Sequence, residues 1–250
     1  MSATSRIRAD LAMVARRLAD SRSRAKALIE AGEVYAGEDR ISRPGQLVSE
    51  AADLRIKGDI HHWLSRGALK LEHGLSLFEI DLTDRIGLDI GASTGGFTEV
   101  LLARGCRRVY AVDVGRDQLH RRLREDPRVL SLEGLNARHL SARQIPEPVD
   151  ILVADVSFIS LIKALPNPLK LAAPGAWLVA LIKPQFEVGK GKVGKRGVVK
   201  DPALHRKACS EVKDWLDGQP GWQVVGIEES PIIGPKGNRE FLIAAKFEGG

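Results

Sequence analysis

The chain has 250 residues, 44% of them hydrophobic, and 38 Lys and Arg against 32 Asp and Glu give it a net charge of +6. That length and apolar share suit one good-sized core with a small accessory domain, and two distant cysteines, Cys106 and Cys209, without clustered histidines exclude a zinc site or a disulfide framework, so no metal is expected. No apolar run approaches the roughly 18 residues of a membrane span and the polar, basic start lacks a signal core, so a cytoplasmic protein off the membrane is expected, with a balance of charge that suits a polyanionic partner.

Taken from the start, apolar residues recur at helical spacing over residues 7–18, with Leu11, Val14 and Leu18 on one face, and over residues 22–31, with Ala25, Leu28 and Ile29 on another. Gly32 stops the second helix. Short strand patterns follow at 34–36, 46–48 and 54–56, separated by the turn signals Gly37-Glu38-Asp39 and Pro44-Gly45. The result is a small α+β domain over residues 1–58 and a linker over residues 59–64 that includes His61, His62, Trp63 and Leu64. Between Arg6 and Lys26 seven basic residues face only Asp10 and Asp20, and most fall on the polar faces of the two expected helices.

Residues 65–250 read differently. Strand patterns at 86–90, 109–113, 129–133, 150–155 and 176–183 each precede a turn or a helix, the rhythm of an α/β fold with a doubly wound, mostly parallel sheet. A helix opening at Asp201-Pro202 carries Leu204, Val212, Trp215 and Leu216; strand patterns at 223–227 and 241–245 follow, the second closing the sheet. There is no repeat of fixed period and no low-complexity segment.

The first of these strands runs into Asp89-Ile90-Gly91-Ala92-Ser93-Thr94-Gly95-Gly96-Phe97, a loop whose glycines let a ligand approach the backbone closely. Ser93 occupies the middle glycine position of the dinucleotide fingerprint, which weakens a dehydrogenase reading. Asp113 ends the next strand, where an acidic side chain can accept from both ribose hydroxyls of a nucleoside cofactor. An Asp ahead of the Gly-rich turn, an acidic end to the second strand and Asp155 ending the fourth resemble the Rossmann-like methyltransferases.

Four charged residues stand where folding does not require them: Lys70, Asp155, Lys183 and Glu240. Asp155 and Lys183 end strongly apolar runs, which in a parallel sheet places both at the carboxyl edge where ligands bind. Glu240 begins the last strand pattern and shares that edge if the strand is antiparallel; Lys70 lies on the helix before the first sheet strand.

Trp63-Leu64-Ser65-Arg66-Gly67-Ala68-Leu69-Lys70, the GLDIGASTGGFTEVLL loop, ADVSFISL and LIKPQFEVGK together resemble the TlyA family, whose members carry an FtsJ/RrmJ-type methyltransferase domain. The resemblance covers nearly the whole chain, because residues 1–58 are similar to the alpha-L RNA-binding domain. It implies S-adenosyl-L-methionine as cofactor and 2'-O-methylation of ribose in ribosomal RNA or ribosomal subunits, on a cytidine. It also implies a Lys-Asp-Lys-Glu tetrad, filled by Lys70, Asp155, Lys183 and Glu240, and cofactor contacts from Asp89, Gly91, Ser93, Thr94, Gly95, Gly96, Phe97, Asp113, Asn136 and Asp155.

The chemistry explains such a tetrad. A ribose hydroxyl is a poor nucleophile while a sulfonium methyl is already activated, so the enzyme must orient and deprotonate the hydroxyl. A lysine does this only when neutral; Lys70 beside Lys183 favours the neutral amine, while Asp155 and Glu240 hold ammonium groups in place. Amino-group methyltransferases commonly show N/D-P-P-Y/F after the fourth strand, whereas Asp155-Val156-Ser157-Phe158 lacks both prolines and favours a hydroxyl. RNA contacts are expected from Arg6, Arg8, Arg17, Arg22, Arg24 and Lys26, from Arg66, and from Lys190, Lys192, Lys195 and Arg196 in a Gly- and Lys-rich loop after the base. Arg121, Arg122, Arg124 and Arg128, interrupted by Glu125 and Asp126, read as a solvated helix face. The alternatives are a catalytically silent RNA-binding assembly factor, against which the intact tetrad argues, and a haemolysin, for which no broad amphipathic membrane-active helix stands out.

Overall fold

A computed structural model of the chain describes residues 6–16, 18–19, 21–56, 63–194 and 196–249, and the chain divides into two compact units, Met1–Ser65 and Arg66–Gly250. Of the linker expected at 59–64, only Trp63 and Leu64 fall within the described residues.

The smaller unit runs β1 (Arg6–Arg8), α1 (Ala9–Ala15), α2 (Arg22–Ala31), β2 (Val34–Ala36), β3 (Asp39–Arg40), β4 (Leu47–Ser49) and β5 (Leu54–Ile56). β1 pairs antiparallel with β4, and β2 lies between β3 and β5 in a second small sheet. The first helix is shorter than the apolar spacing predicts. Ile7 and Arg8 are extended opposite Val48 and Leu47, so Arg6 and Arg8 lie on a strand rather than on a helical face. At the other end the helix is capped at Arg16, and the Leu18 N–H turns back to the Met13 carbonyl at 2.9 Å. Strand β3 was hidden inside a turn signal: Ala36 pairs with Asp39, which leaves Gly37-Glu38 as a two-residue hairpin loop. α2 keeps its predicted bounds because both ends are satisfied, Ser21 Oγ accepting from the Arg24 N–H at 3.1 Å and Gly32 adopting the left-handed conformation at φ 75°. Met13, Leu28, Ile29, Val34 and Ile41 form the core of this unit.

The larger unit runs α3 (Gly67–Leu77), β6 (Ile86–Ile90), α4 (Gly96–Ala103), β7 (Arg108–Asp113), α5 (Arg121–Arg124), β8 (Val129–Glu133), β9 (Val149–Ala154), α6 (Leu161–Ala164), β10 (Ala172–Ile182), α7 (Pro184–Glu187), α8 (Pro202–Asp217), β11 (Trp222–Glu229) and β12 (Phe241–Phe247). Its strands form one seven-stranded sheet in the order β11-β12-β10-β9-β6-β7-β8. From β8 to β10 every neighbour is parallel, while β12 is antiparallel to both β10 and β11. β6 and β9 are buried almost throughout, as strands covered on both faces must be. The strand order reverses between β6 and β9, and such a switch point opens a crevice at the carboxyl ends of the strands.

Two strand ends differ slightly from expectation. β9 stops at Ala154 and β10 at Ile182, so Asp155 and Lys183 stand one residue beyond the ladder. After β10 the cause is Pro184, which has no N–H to continue pairing and starts α7 at its first position. α8 opens at Asp201, whose side chain accepts from the Ala203 N–H at 2.8 Å, and buries His205, Ala208, Val212 and Leu216 at helical spacing.

Candidate active site

The loop leaving β6 is shaped by three left-handed residues, Gly91 (φ 87°), Ser93 (φ 49°) and Gly95 (φ 99°). Gly91 is required twice over: its backbone is unfavourable for any side chain, and a Cβ there would stand 2.8 Å from the Asp155 carbonyl oxygen. The close approach arises because the Asp155 N–H donates to the Ile90 carbonyl at 3.0 Å, which locks the end of β9 beside the loop. The Gly91 and Ala92 N–H groups both donate to the Val112 carbonyl, at 2.8 and 3.1 Å.

Asp113 ties this loop to the next. Its carboxylate accepts from the Ser93 N–H at 2.8 Å and from the Gly115 N–H at 2.7 Å, one on each oxygen. Each oxygen retains a second lone pair, so the residue can fasten the loops and accept ligand hydroxyls together. Around it opens a cavity of about 450 Å³ lined by Gly91, Ser93, Asp113, Asn136 and Asp155, and also by Gln118, Val114, Leu135, Ser157 and Phe158. That size is typical of small-molecule sites.

The remaining residues of the expected cofactor set do not line this cavity. Gly95 caps α4, while Gly96 and Phe97 are buried within it. The Thr94 carbonyl accepts from the His120 N–H at 3.2 Å. Asp89 is wholly buried in β6, one oxygen accepting from Thr98 Oγ1 at 2.7 Å and the other, Oδ1, without a hydrogen-bond partner among the described residues. Burial pushes its carboxyl up to about 7, against the Thr98 hydrogen bond and with the neighbouring Asp155 and Asp113 charges adding to the rise. Gln118 and Phe158 carry no sequence signal for this pocket, because both sit on irregular loops where spacing is uninformative. Phe158 is conspicuous in space: it is 92% exposed, has φ 66°, and its ring packs on Phe186 with centroids 5.3 Å apart.

The four charged residues form two ion pairs. Lys183 Nζ lies 2.5 Å from Asp155 Oδ1 and donates to Ser157 Oγ at 3.1 Å, and Asp155 and Ser157 both line the cavity. Lys70 Nζ on α3 lies 2.5 Å from Glu240 Oε2, with both side chains almost wholly buried. β12 is antiparallel, the condition under which Glu240 shares the edge, and its Ile182–Phe241 pairing places Lys183 and Glu240 at the next step of the register. Glu240 needs a bare backbone opposite it, because a Cβ on Gly234 would come within 2.0 Å of its Oε1. That oxygen has no hydrogen-bond partner among the described residues.

The expected RNA contacts are scattered over the two units. In the smaller one Arg8 and Arg22 both pair with Asp10, at 3.0 and 3.2 Å, and hold its carboxyl down at about 2. Arg24 donates to the Leu64 carbonyl at 3.0 Å, Lys26 lies 3.8 Å from Glu30, and Arg6 is exposed on β1. In the larger one Arg66 caps α3, and Lys192 and Arg196 are exposed. Arg17, Lys195 and the Lys190 side chain lie outside the described residues. Burial pushes the Cys106 thiol up to about 12 and the Cys209 thiol to about 11, so neither serves as a thiolate at neutral pH. Among the described residues no helix is long and apolar enough to cross a membrane, and no cluster of His, Cys, Asp and Glu could hold a metal ion.

A parallel sheet closed by an antiparallel strand, with a Gly-rich loop and an acidic strand end at its switch point, defines a methyltransferase of the nucleoside-cofactor class. A family model for FtsJ-like methyltransferases matches residues 63–247. The chain is 47% identical over 95% of its length, and 89% of the relative's, to the Mycobacterium tuberculosis 16S/23S rRNA (cytidine-2'-O)-methyltransferase TlyA. It is 36% identical, over 78% of its length and 75% of the relative's, to the Campylobacter jejuni 23S rRNA (cytidine-2'-O)-methyltransferase TlyA. Among solved structures, one from Streptococcus thermophilus that bears the name hemolysin is 38% identical, covers 98% of this chain and 90% of its own, and superposes with a TM-score of 0.75. The chain therefore belongs to the TlyA family of FtsJ-like methyltransferases.

Proposed function

We propose that the protein transfers the methyl group of S-adenosylmethionine to a ribose 2'-hydroxyl of ribosomal RNA, on a cytidine. The observation that carries this reading is the Lys183–Asp155 ion pair beside the cavity, with the Lys70–Glu240 pair joining α3 to the start of neighbouring β12. The relatives' named activity supplies the nucleotide and the RNA class.

The cavity suits the cofactor. Asp113 presents free lone pairs to a ribose diol, Val112, Val114 and Leu135 offer an apolar wall to an adenine ring, and bare Gly91 leaves space that a Cβ would close. When bound, S-adenosylmethionine supplies a methyl group activated on a sulfonium.

The chain's own residues supply the rest. Lys183, once it has released its proton, would take the proton of the 2'-hydroxyl as that oxygen accepts the methyl group, and would end as the ammonium beside Asp155. Asp155 and Ser157 hold its nitrogen at the cavity edge, which fixes the direction of proton transfer. Glu240, held by Lys70, keeps Oε1 as an unused acceptor for a substrate hydroxyl or the lysine ammonium. Exposed Phe158 offers a flat ring to an unstacked base, the usual way of holding a single-stranded nucleotide. In this reading residues 1–58 are an alpha-L RNA-binding domain, and their arginines and the basic loop after α7 contact phosphates.

The test is to incubate the protein with labelled S-adenosylmethionine and each isolated ribosomal subunit, digest the RNA and identify the methylated nucleoside by mass spectrometry. The expected product is 2'-O-methylcytidine. A base-methylated nucleoside would overturn the tetrad mechanism, and cofactor binding without any transfer would favour a silent RNA-binding factor.

A further inference from the structure

Lys183 opens a five-residue stretch whose side chains converge on one neighbouring loop, residues 155–161. Lys183 Nζ reaches Asp155 and Ser157, the Phe186 ring packs on Phe158 at 5.3 Å, and Glu187 Oε1 accepts from the Leu161 N–H at 2.9 Å. The first two contacts lie at the proposed reaction centre. The third, made by a partly buried carboxylate, has no part in the chemistry described above.

We propose that Glu187 is a positioning residue for methyl transfer: it anchors the far end of the loop at residues 155–161 to the turn that carries Lys183. The assignment rests on the reading of Lys183 as the base. The near end of the loop is fixed by β9, through the Asp155 N–H to the Ile90 carbonyl. The middle is unfavourable by itself, because Phe158 adopts a left-handed backbone and exposes its ring, a state that persists only when the surroundings hold it. The far end is α6, a single turn that cannot nucleate alone. Ser160 Oγ accepts from the Ile162 N–H at 3.2 Å, and Glu187 accepts from the Leu161 N–H, so the first two donors of that turn are satisfied. Without Glu187, the Leu161 N–H loses its partner and the loop loses its far anchor.

Burial raises the Glu187 carboxyl above its usual range, opposed by the hydrogen bonds from Ser160 and Leu161. The environment thus disfavours charge while requiring an acceptor. A glutamine of the same length therefore replaces Glu187, whereas aspartate, which keeps the charge and loses the reach, does not.

The experiment compares Glu187→Gln, Glu187→Asp and Glu187→Ala by single-turnover transfer, S-adenosylhomocysteine affinity by calorimetry, and amide exchange across residues 156–161. Asp and Ala should lower the transfer rate roughly tenfold to a hundredfold with cofactor-product affinity changed by less than about threefold, and Gln should stay within about threefold of the parent. Amide exchange should quicken in Asp and Ala and not in Gln. Parent-like rates in Ala, or a Gln variant as slow as Ala, would overturn the assignment, as would an Asp variant that restores the rate where Gln does not. If Ala does not fold, the Gln and Asp pair still decides. Failure of the ribose reading shows differently, as absence of 2'-O-methylated product from the parent protein; amide exchange then still judges the anchor.

Discussion

Asp89→Asn tests whether the carboxyl at the heart of β6 is held neutral. Asp89 is 0% exposed, its Oδ2 accepts from Thr98 Oγ1 at 2.7 Å, and its carboxyl rises from 3.8 to about 7. Below the unfolded value both states bind the proton and the residue costs nothing. As pH rises toward the folded value, only the unfolded chain ionises, so stability falls by about 1.4 kcal/mol per pH unit. The gap between 3.8 and about 7 sets the whole loss at roughly 4 kcal/mol, complete near pH 7 and flat beyond it. Asparagine keeps an oxygen for Thr98 and does not titrate; its amide NH2, buried without a partner, adds a cost that does not change with pH. Urea unfolding of the intact protein between pH 5 and pH 8, read on the transition of the larger unit, gives the stability difference between parent and variant. That difference should shift in favour of the variant through pH 7 and then level. A difference constant with pH would refute the argument and show that Asp89 ionises inside the fold at an ordinary value.

Lys183→Ala should abolish methyl transfer while leaving S-adenosylhomocysteine affinity, measured by calorimetry, within about threefold of the parent, because Lys183 itself does not line the cavity. Gly91→Ala should remove cofactor binding, since its Cβ would stand 2.8 Å from the Asp155 carbonyl; retained binding in the same titration would contradict the close approach. Glu240→Ala leaves the Lys70 ammonium buried without its partner and should destabilise the larger unit by about 3 to 5 kcal/mol in urea. Lys70→Met with Glu240→Leu should recover much of that stability without recovering transfer, which separates the pair's contribution to folding from its contribution to chemistry.

The sheet was legible because a strand buried on both faces is apolar nearly throughout, as at residues 86–90, and because edge strand 129–133 is bounded by turn residues; both appear in space with the bounds the sequence predicts. The small unit was harder to read. Ile7 fits an apolar face at helical spacing and equally a half-buried strand, and its pairing with Val48 lies 41 residues away, beyond any window that periodicity uses. Asp39 and Arg40 carry the composition of a turn, and only the ladder to Ala36 and Tyr35 makes them a strand. Local signal therefore decided the elements that packing alone defines, and failed where pairing over a distance competed with it.

At the site, the same logic separates what the residues announced from what they concealed. A charged side chain directly after an apolar strand is visible in sequence, so Asp155 and Lys183 stood out one at a time. Their mutual pairing, and the parallel pairing of Lys70 with Glu240 across 170 positions, depend on strand order, which no spacing encodes. Glu187 was concealed for a different reason: in sequence it is one more charge on a polar stretch, and its significance lies in a donor, Leu161 N–H, that every residue except proline possesses. Backbone donors carry no compositional mark, so the residues that satisfy them at a site emerge only when the fold brings donor and acceptor together. The tetrad supplies reactive groups, and the distances between those groups are set by contacts of this unmarked kind; Glu187→Ala, Gly91→Ala and Gly234→Ala should therefore lower transfer although the tetrad itself is intact.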